Sequence, residues 1–298
     1  MTTTIYTGSN NGRWAESTNW SNGAPAPGET AIIDSNVVLS TGDLALFRTT
    51  VDLGGGGAMA GNVLALADSS IAGPNFMGFV LQQDIIADRM SFVGIPAADT
   101  TGGLEVTAVA YLNQGTIGAE AGGSNPGLEL SGRPDNSGVP SQMNLVNQGT
   151  IIASGSGELS LDANVTGTGS ISISDGGVIY LGQNPANWPS FEVGHGSIAA
   201  TQKVNMGGQD ATTLIFDPSV SSIAATIAGF GFTDLIDLQN FQGFFVASGT
   251  KNPTLTFTSL VSGIPQGAFT LTFSGNYKGD TFSLAPDASG HGSLLMVT

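Results

Sequence analysis

The residues that could do chemistry in this chain are few. It carries 23 Asp+Glu, 7 Lys+Arg, two His and no Cys, which removes disulfides, thiolate metal sites and cysteine nucleophiles together. Serine catalysis would need His195 or His291 as base, yet His195 sits in Gly194-His195-Gly196 and no Gly-x-Ser-x-Gly elbow occurs. Two isolated histidines also make a poor zinc set. A polysaccharide lyase needs a basic residue to take the proton alpha to a carboxylate, and Arg13, Arg48, Arg89, Arg133, Lys203, Lys251 and Lys278 are scattered. A glycosidase needs two facing carboxylates. Asp84 with Asp88, or Glu105 with Glu129, can be written down as pairs, but nothing in the sequence marks them. Asp234 with Asp237, and Asp280 with Asp287, are candidates for calcium, in competition with capping and turn roles. No catalytic or cofactor-binding residue is assigned, and calcium is the one cation the acids suggest.

The elements that must position these residues are announced by a repeated phrase. Leu112-Asn113-Gln114-Gly115-Thr116-Ile117 recurs 34 residues later as Val146-Asn147-Gln148-Gly149-Thr150-Ile151. Self-similarity at a fixed period is the mark of a stacked coil, in which a short strand buries its apolar face only when the next copy lies on it. The two copies are either successive long rungs or alternate short ones. Between residues 104 and 182, runs such as Leu104-Glu105-Val106-Thr107, Leu128-Glu129-Leu130 and Ile171-Ser172-Ile173 alternate apolar with polar residues, as a strand with one face on a core does. Segments 122–127 and 132–141 read as loops projecting from the stack. With 44 Gly and only 10% charged residues, the chain has many turns and little surface-helix dressing, so we expect an all-β fold.

Three regions follow. Residues 1–35 form an N-terminal strand and cap, where Trp14 and Trp20 plug the end of the core. Residues 36–190 form a β-solenoid body, resembling a parallel β-helix. Residues 205–298 form an antiparallel or sandwich-like β region, with longer alternating strands such as Phe269-Thr270-Leu271-Thr272-Phe273. Within the body, Gly54–Gly57 is a turn, since no Gly-Lys-Ser/Thr follows it. Phe76–Ile95 is either a helical turn or two strands flanking Gln82-Gln83-Asp84.

The formal net charge of −16 repels polyanions, so nucleic acid is not an expected partner. No run of about 18 apolar residues marks a transmembrane helix, and Met1–Thr7 lacks the basic and apolar regions of a signal peptide. Thr2–Thr7 is β-prone and uncharged, either a candidate strand for pairing with a second copy of the chain or a disordered tail.

The C-terminal run Gly229-Phe230-Gly231-Phe232-Thr233-Asp234-Leu235-Ile236-Asp237-Leu238, with Gly275-Asn276-Tyr277 and Asp287-Ala288-Ser289-Gly290-His291-Gly292, resembles the terminal region of bacterial proteins exported by type I secretion, many of them adhesins or matrix proteins. The Asn-Gln-Gly-Thr-Ile repeats and Trp-rich opening resemble pectin-lyase-like β-helical passengers of bacterial surface proteins. The first resemblance covers about the last 75 residues. One feature of its calcium-binding members, tandem Gly-Gly-x-Gly-x-Asp nonapeptides, is missing here. Together the resemblances imply a secreted, extracellular or cell-surface protein of a Gram-negative bacterium. They imply a non-catalytic protein that self-assembles into a filament or lattice, or mediates adhesion and biofilm formation, with glycans as further partners. The alternative expectation is a β-helical carbohydrate-active enzyme using a groove beside the 122–141 loops.

Overall fold

The computed structural model describes residues 2–33, 37–53, 58–72, 79–96, 103–120, 127–132, 142–182, 196–216, 222–239, 241, 243–248, 251–261, 264–287 and 292–298. These residues build a pile of parallel strands with three faces. The first face stacks Thr30–Ile32, Thr50–Asp52, Ser70–Ala72, Phe92–Ile95, Thr116–Ala119, Thr150–Ser154, Ser170–Ser174, Lys203–Gly207 and Thr226–Ala228, each parallel to the next. The second face stacks Leu104–Ala108, Leu128–Gly132, Glu158–Leu161, Val178–Leu181, Thr213–Phe216 and Leu235–Leu238. The third stacks Ala110–Asn113, Met143–Asn147, Ala163–Thr166, Ser197–Ile198 and Ser222–Ile223. Earlier in the chain, Val38–Phe47, Ala58–Ala67 and Phe79–Ala87 each serve both of these faces as one long strand. Residues 79–82 of the last pair with Leu104–Ala108, and residues 85–87 with Ala110–Asn113. Register shifts after Ser40 and Ala60 mark the bend. The all-β solenoid with antiparallel C-terminal strands is therefore the fold.

The two copies of the repeated phrase lie on successive rungs, with Asn113 beside Asn147 and Thr116 beside Thr150. Each residue of the phrase has a place. Ile117 and Ile151 belong to one core column that runs Ala31, Val51, Ile71, Val93, Ile117, Ile151, Ile171, Val204, Ile227, every member at most 1% exposed. Each such burial is worth about 1.5–3 kcal/mol for the larger side chains, and β-branching suits the pleated surface. The asparagines stack inside the corner. Asn113 Nδ2 donates to Asn147 Oδ1 (2.9 Å), Asn147 Nδ2 donates to Gln202 Oε1 (2.9 Å), and Gln202 Nε2 donates to the carbonyls of Thr166 and Asn147. Gln114 and Gln148 stack outside, in an exposed 3.0 Å amide contact. The glycines pass so close that a Cβ on Gly149 would lie 2.1 Å from the Gly115 carbonyl oxygen.

The Phe76–Ile95 stretch resolves as two strands, Phe79–Ala87 and Phe92–Ile95, so its helical reading is corrected. Gln83 and Asp84 lie within the first of these strands rather than between two, because that strand bends from one face to the next without stopping. Among the described residues the helical structure is one 3-10 turn, Ser17–Asn19.

Trp14 and Trp20 do close the N-terminal end. Both are buried, packed edge to face at 5.0 Å, and Trp20 Nε1 donates to the Trp14 carbonyl. Thr3–Ile5 pairs in parallel with Thr30–Ile32 of its own chain. Its outer edge is covered in turn, since the Ser21 amide donates to the Ile5 carbonyl and Asn22 Nδ2 to the Thr3 carbonyl. The candidate pairing strand thus meets its hydrogen-bonding needs within one copy.

At the far end the antiparallel strands extend the parallel sheets instead of forming a separate sandwich. Ile264–Ser274 joins the first face beside Thr226–Ala228 and is followed outward by Thr254–Val261 and Gly243–Ser248. Ser293–Val297 and Phe282–Pro286 prolong the second face beyond Leu235–Leu238. Phe230, Phe273, Tyr277 and Phe282 form an aromatic cluster beneath them.

Candidate functional site

Side chains alternate along each second-face strand, so a second set points away from the core. In register these outward positions read Glu105, Glu129, Ser160, Tyr180, Ile215, Asp237. A solvent-facing row of this kind is ordinarily exposed. Here Ser160 is 7% and Ile215 9% exposed, and the outward Thr107 is 5%. The outer surface of this face is therefore sheltered, and two glutamates stand on it, one strand spacing apart.

Shelter decides their chemistry. Burial, reinforced by the neighbouring charges of Glu105 and Asp162, pushes the Glu129 carboxyl up to about 8. Burial alone raises Glu105 and Glu158. Glu129 Oε2 is inaccessible and has no hydrogen-bond partner, so no donor holds its ionised form. At neutral pH Glu129 keeps its proton, which is the state of a general acid. The exposed cations Arg13, Arg48, Arg89, Lys203, Lys251 and Lys278 do not appear among the charges acting on it. The signal for this pair was present in the sequence as Leu104-Glu105-Val106 and Leu128-Glu129-Leu130, one rung apart. Without the rung length, nothing aligned them.

The other carboxylates do structural work. Asp84 Oδ1 accepts the amides of Val109 and Ala110 at the corner of the next rung. Asp88 accepts the Met90 amide and the Ser91 hydroxyl. Although burial opposes it, these bonds and the Asp68 and Ser91 amides lower the Asp88 carboxyl below its usual range. Arg48 pairs with Asp68 at 3.2 Å on the surface.

The four calcium candidates group differently from their sequence order. Asp234 is buried and committed: Oδ1 accepts the Thr212 amide and hydroxyl, and Oδ2 accepts the Gly231 amide. Asp237 points outward beside Asp287, and burial together with that charge raises it. Asp280 and Asp234 both act on Tyr277, whose phenol is raised first by burial and then by their charges. Among the described residues no three His, Cys, Asp or Glu side chains come together as metal ligands. His195, His291, Arg133, Gly54–Gly57 and most of the 122–127 and 132–141 loops lie outside the described residues. No helix among the described residues is long and apolar enough to cross a membrane.

No known family model matches the chain, and neither does any curated protein sequence.

Proposed function

We propose that this chain is a secreted, non-catalytic surface or matrix protein whose solenoid associates with further copies of itself, as a filament or lattice, in adhesion or biofilm. The observation that supports this reading most directly is the state of the ladder's ends. The N-terminal segment covers the outer edges of Thr3–Ile5 and of residues 38–40, the latter through hydrogen bonds from Asn11 and Trp14 to the Val38 and Ser40 carbonyls. It stops there. Residues 43–47 form the last strand of the third face and have no neighbour on their outer side among the described residues. The other end of the first sheet terminates on Gly243–Ser248. An unpaired strand edge is a template for another strand. The secretion-like tail supports an extracellular location, and glycans remain proposed partners. Negative-stain microscopy over a concentration series, with and without calcium, tests this reading. We expect elongated or sheet-like assemblies, and monomers at every concentration would overturn it.

The protonated Glu129 beside Glu105 favours a second reading, a β-helical carbohydrate-active enzyme with Glu129 as general acid. Its test is a panel of acidic and neutral polysaccharides assayed for unsaturated products and reducing ends. Turnover that Glu129→Gln abolishes would establish the enzyme; no turnover on any substrate would dismiss it.

A further inference from the structure

The third face is in line with itself at the two ends of the molecule. Its inward column runs Leu44, Leu64, Ile85, Tyr111, Leu145, Val165, Ile198, Ile223. Beyond Ile223 the register carries on through the hairpins. Thr226 pairs in parallel with Thr272, so three residues earlier Phe269 takes the step after Ile223. Phe269 pairs with Phe257, and Phe257 with Phe245. The rings of Phe269 and Phe257 stack at 4.9 Å, and those of Phe257 and Phe245 lie 5.7 Å apart. The column therefore begins on Leu44 and ends on Phe245, both only partly buried.

Strand direction matches as well. Two antiparallel reversals separate Gly243–Ser248 from Ile264–Ser274, so Gly243–Ser248 runs in the same sense as the rungs. At the opposite end the Arg48 amide bonds inward to the Ala67 carbonyl. Because N–H and C=O of one residue in a parallel ladder point to the same side, Leu44 and Leu46 share that inward direction. Asp43 and Ala45 then aim their backbone groups off the end, while the Phe47 carbonyl accepts the Thr49 hydroxyl. Phe47 is 51% exposed, covered in part by the Arg48 guanidinium 5.1 Å from its ring. The remaining edges do not match end to end. The second face finishes on Phe282–Pro286, with proline in the edge, while its N-terminal counterpart at residues 38–40 is already covered.

Resting on the self-association reading, we propose that copies join head to tail through the third face: the Asp43–Ala45 edge of one molecule pairs in parallel with Phe244–Val246 of the next, seating Leu44 on Phe245. The contact is heterologous and leaves the same two edges free on the growing ends, and because it continues the ladder in its own direction it propagates. The second copy fits because each end supplies what the other lacks: an open edge of the same sense over the same apolar column.

A chain without cysteine makes the test direct. Ala45→Cys and Val246→Cys occupy facing positions in this register. Oxidising an equal mixture of the two single variants should give a mixed disulfide dimer, and neither variant alone should dimerise. The double variant should give a ladder of covalent multimers. Ala45→Pro removes an outward N–H at an edge position where proline is tolerated. We expect unchanged circular dichroism and at least a tenfold rise in the concentration needed for assembly. Wild-type assemblies by microscopy without the mixed disulfide, dimers from Ala45→Cys alone, or a well-folded Ala45→Pro that assembles normally would each overturn the head-to-tail contact and leave self-association standing. Wild-type protein that stays monomeric would overturn both.

Discussion

Glu129 is where a single side chain most alters how the molecule answers to its surroundings. Its carboxyl is raised from an ordinary 4.5 to about 8, so between those values the folded chain holds a proton that the unfolded chain has released. Stability from this group is complete below about pH 4.5 and declines as pH rises towards and through 8, at up to ~1.4 kcal/mol per unit. Glu105 titrates beside it, so the fall belongs to the pair. We expect urea midpoints of the wild type to drop between pH 5 and 8, and Glu129→Gln to flatten most of that slope, gaining on the order of 2 kcal/mol over wild type at pH 8. A wild-type midpoint that stays level over this range would contradict the burial of the carboxyl. Sequence reading could name Glu105 and Glu129 together but could not choose them over Asp84 and Asp88, because both pairs are two acids among apolar residues. What separates them is local: Asp84 and Asp88 are given amides by the turns beside them, while Glu129 Oε2 is given none.

At the level of the strand and its corner, the repeated Asn-Gln-Gly-Thr-Ile phrase was legible as architecture before any coordinates. Alternation identified the strands, and the recurrence of the phrase identified a stacked coil. The rung length was not legible. Successive first-face strands begin at Thr116, Thr150 and Ser170, so intervals of 34 and 20 residues both count as one turn, and the surplus goes into connections that periodicity does not see. The C-terminal strands were read as antiparallel, yet their continuity with the parallel sheets depends on pairings far apart in sequence, such as Thr226 with Thr272. Three substitutions probe the corner. Asn147→Ala leaves the Gln202 side-chain oxygen unpaired and the Asn113 amide with the Thr150 carbonyl alone, costing about 1–3 kcal/mol for the buried group left unpaired, and chemical denaturation will measure it. Gly149→Ala forces a methyl against the Gly115 carbonyl, and we expect a loss of about 1–3 kcal/mol. Gln148→Ala, on the exposed side of the same corner, should cost less than about 0.5 kcal/mol. Equal effects of Gln148→Ala and Asn147→Ala would mean that the inside and outside of the corner had been assigned wrongly.

For the molecule as a whole, charge and open edges act against each other. A net charge of −16 makes copies repel, and Asp43 places one negative charge at the proposed joint itself. Screening shortens the reach of that repulsion from about 30 Å at 0.01 M salt to about 8 Å at 0.15 M. Sedimentation velocity should therefore show larger species as sodium chloride rises from 10 to 150 mM at fixed protein concentration. A distribution that ignores salt would imply that repulsion between copies does not govern association.

The uneven spacing of the rungs has a consequence for any fibre built from them. Adding 14 residues between Thr116 and Thr150, relative to the 20 between Thr150 and Ser170, leaves the strand spacing unchanged, so the axis is a ruler that ignores what is attached to it. The third-face column contains eleven strand positions from Leu44 to Phe245. At about 4.8 Å each, one molecule would advance the fibre by roughly 50 Å. Each copy would then repeat the one before it at that interval, in one orientation, along the whole length.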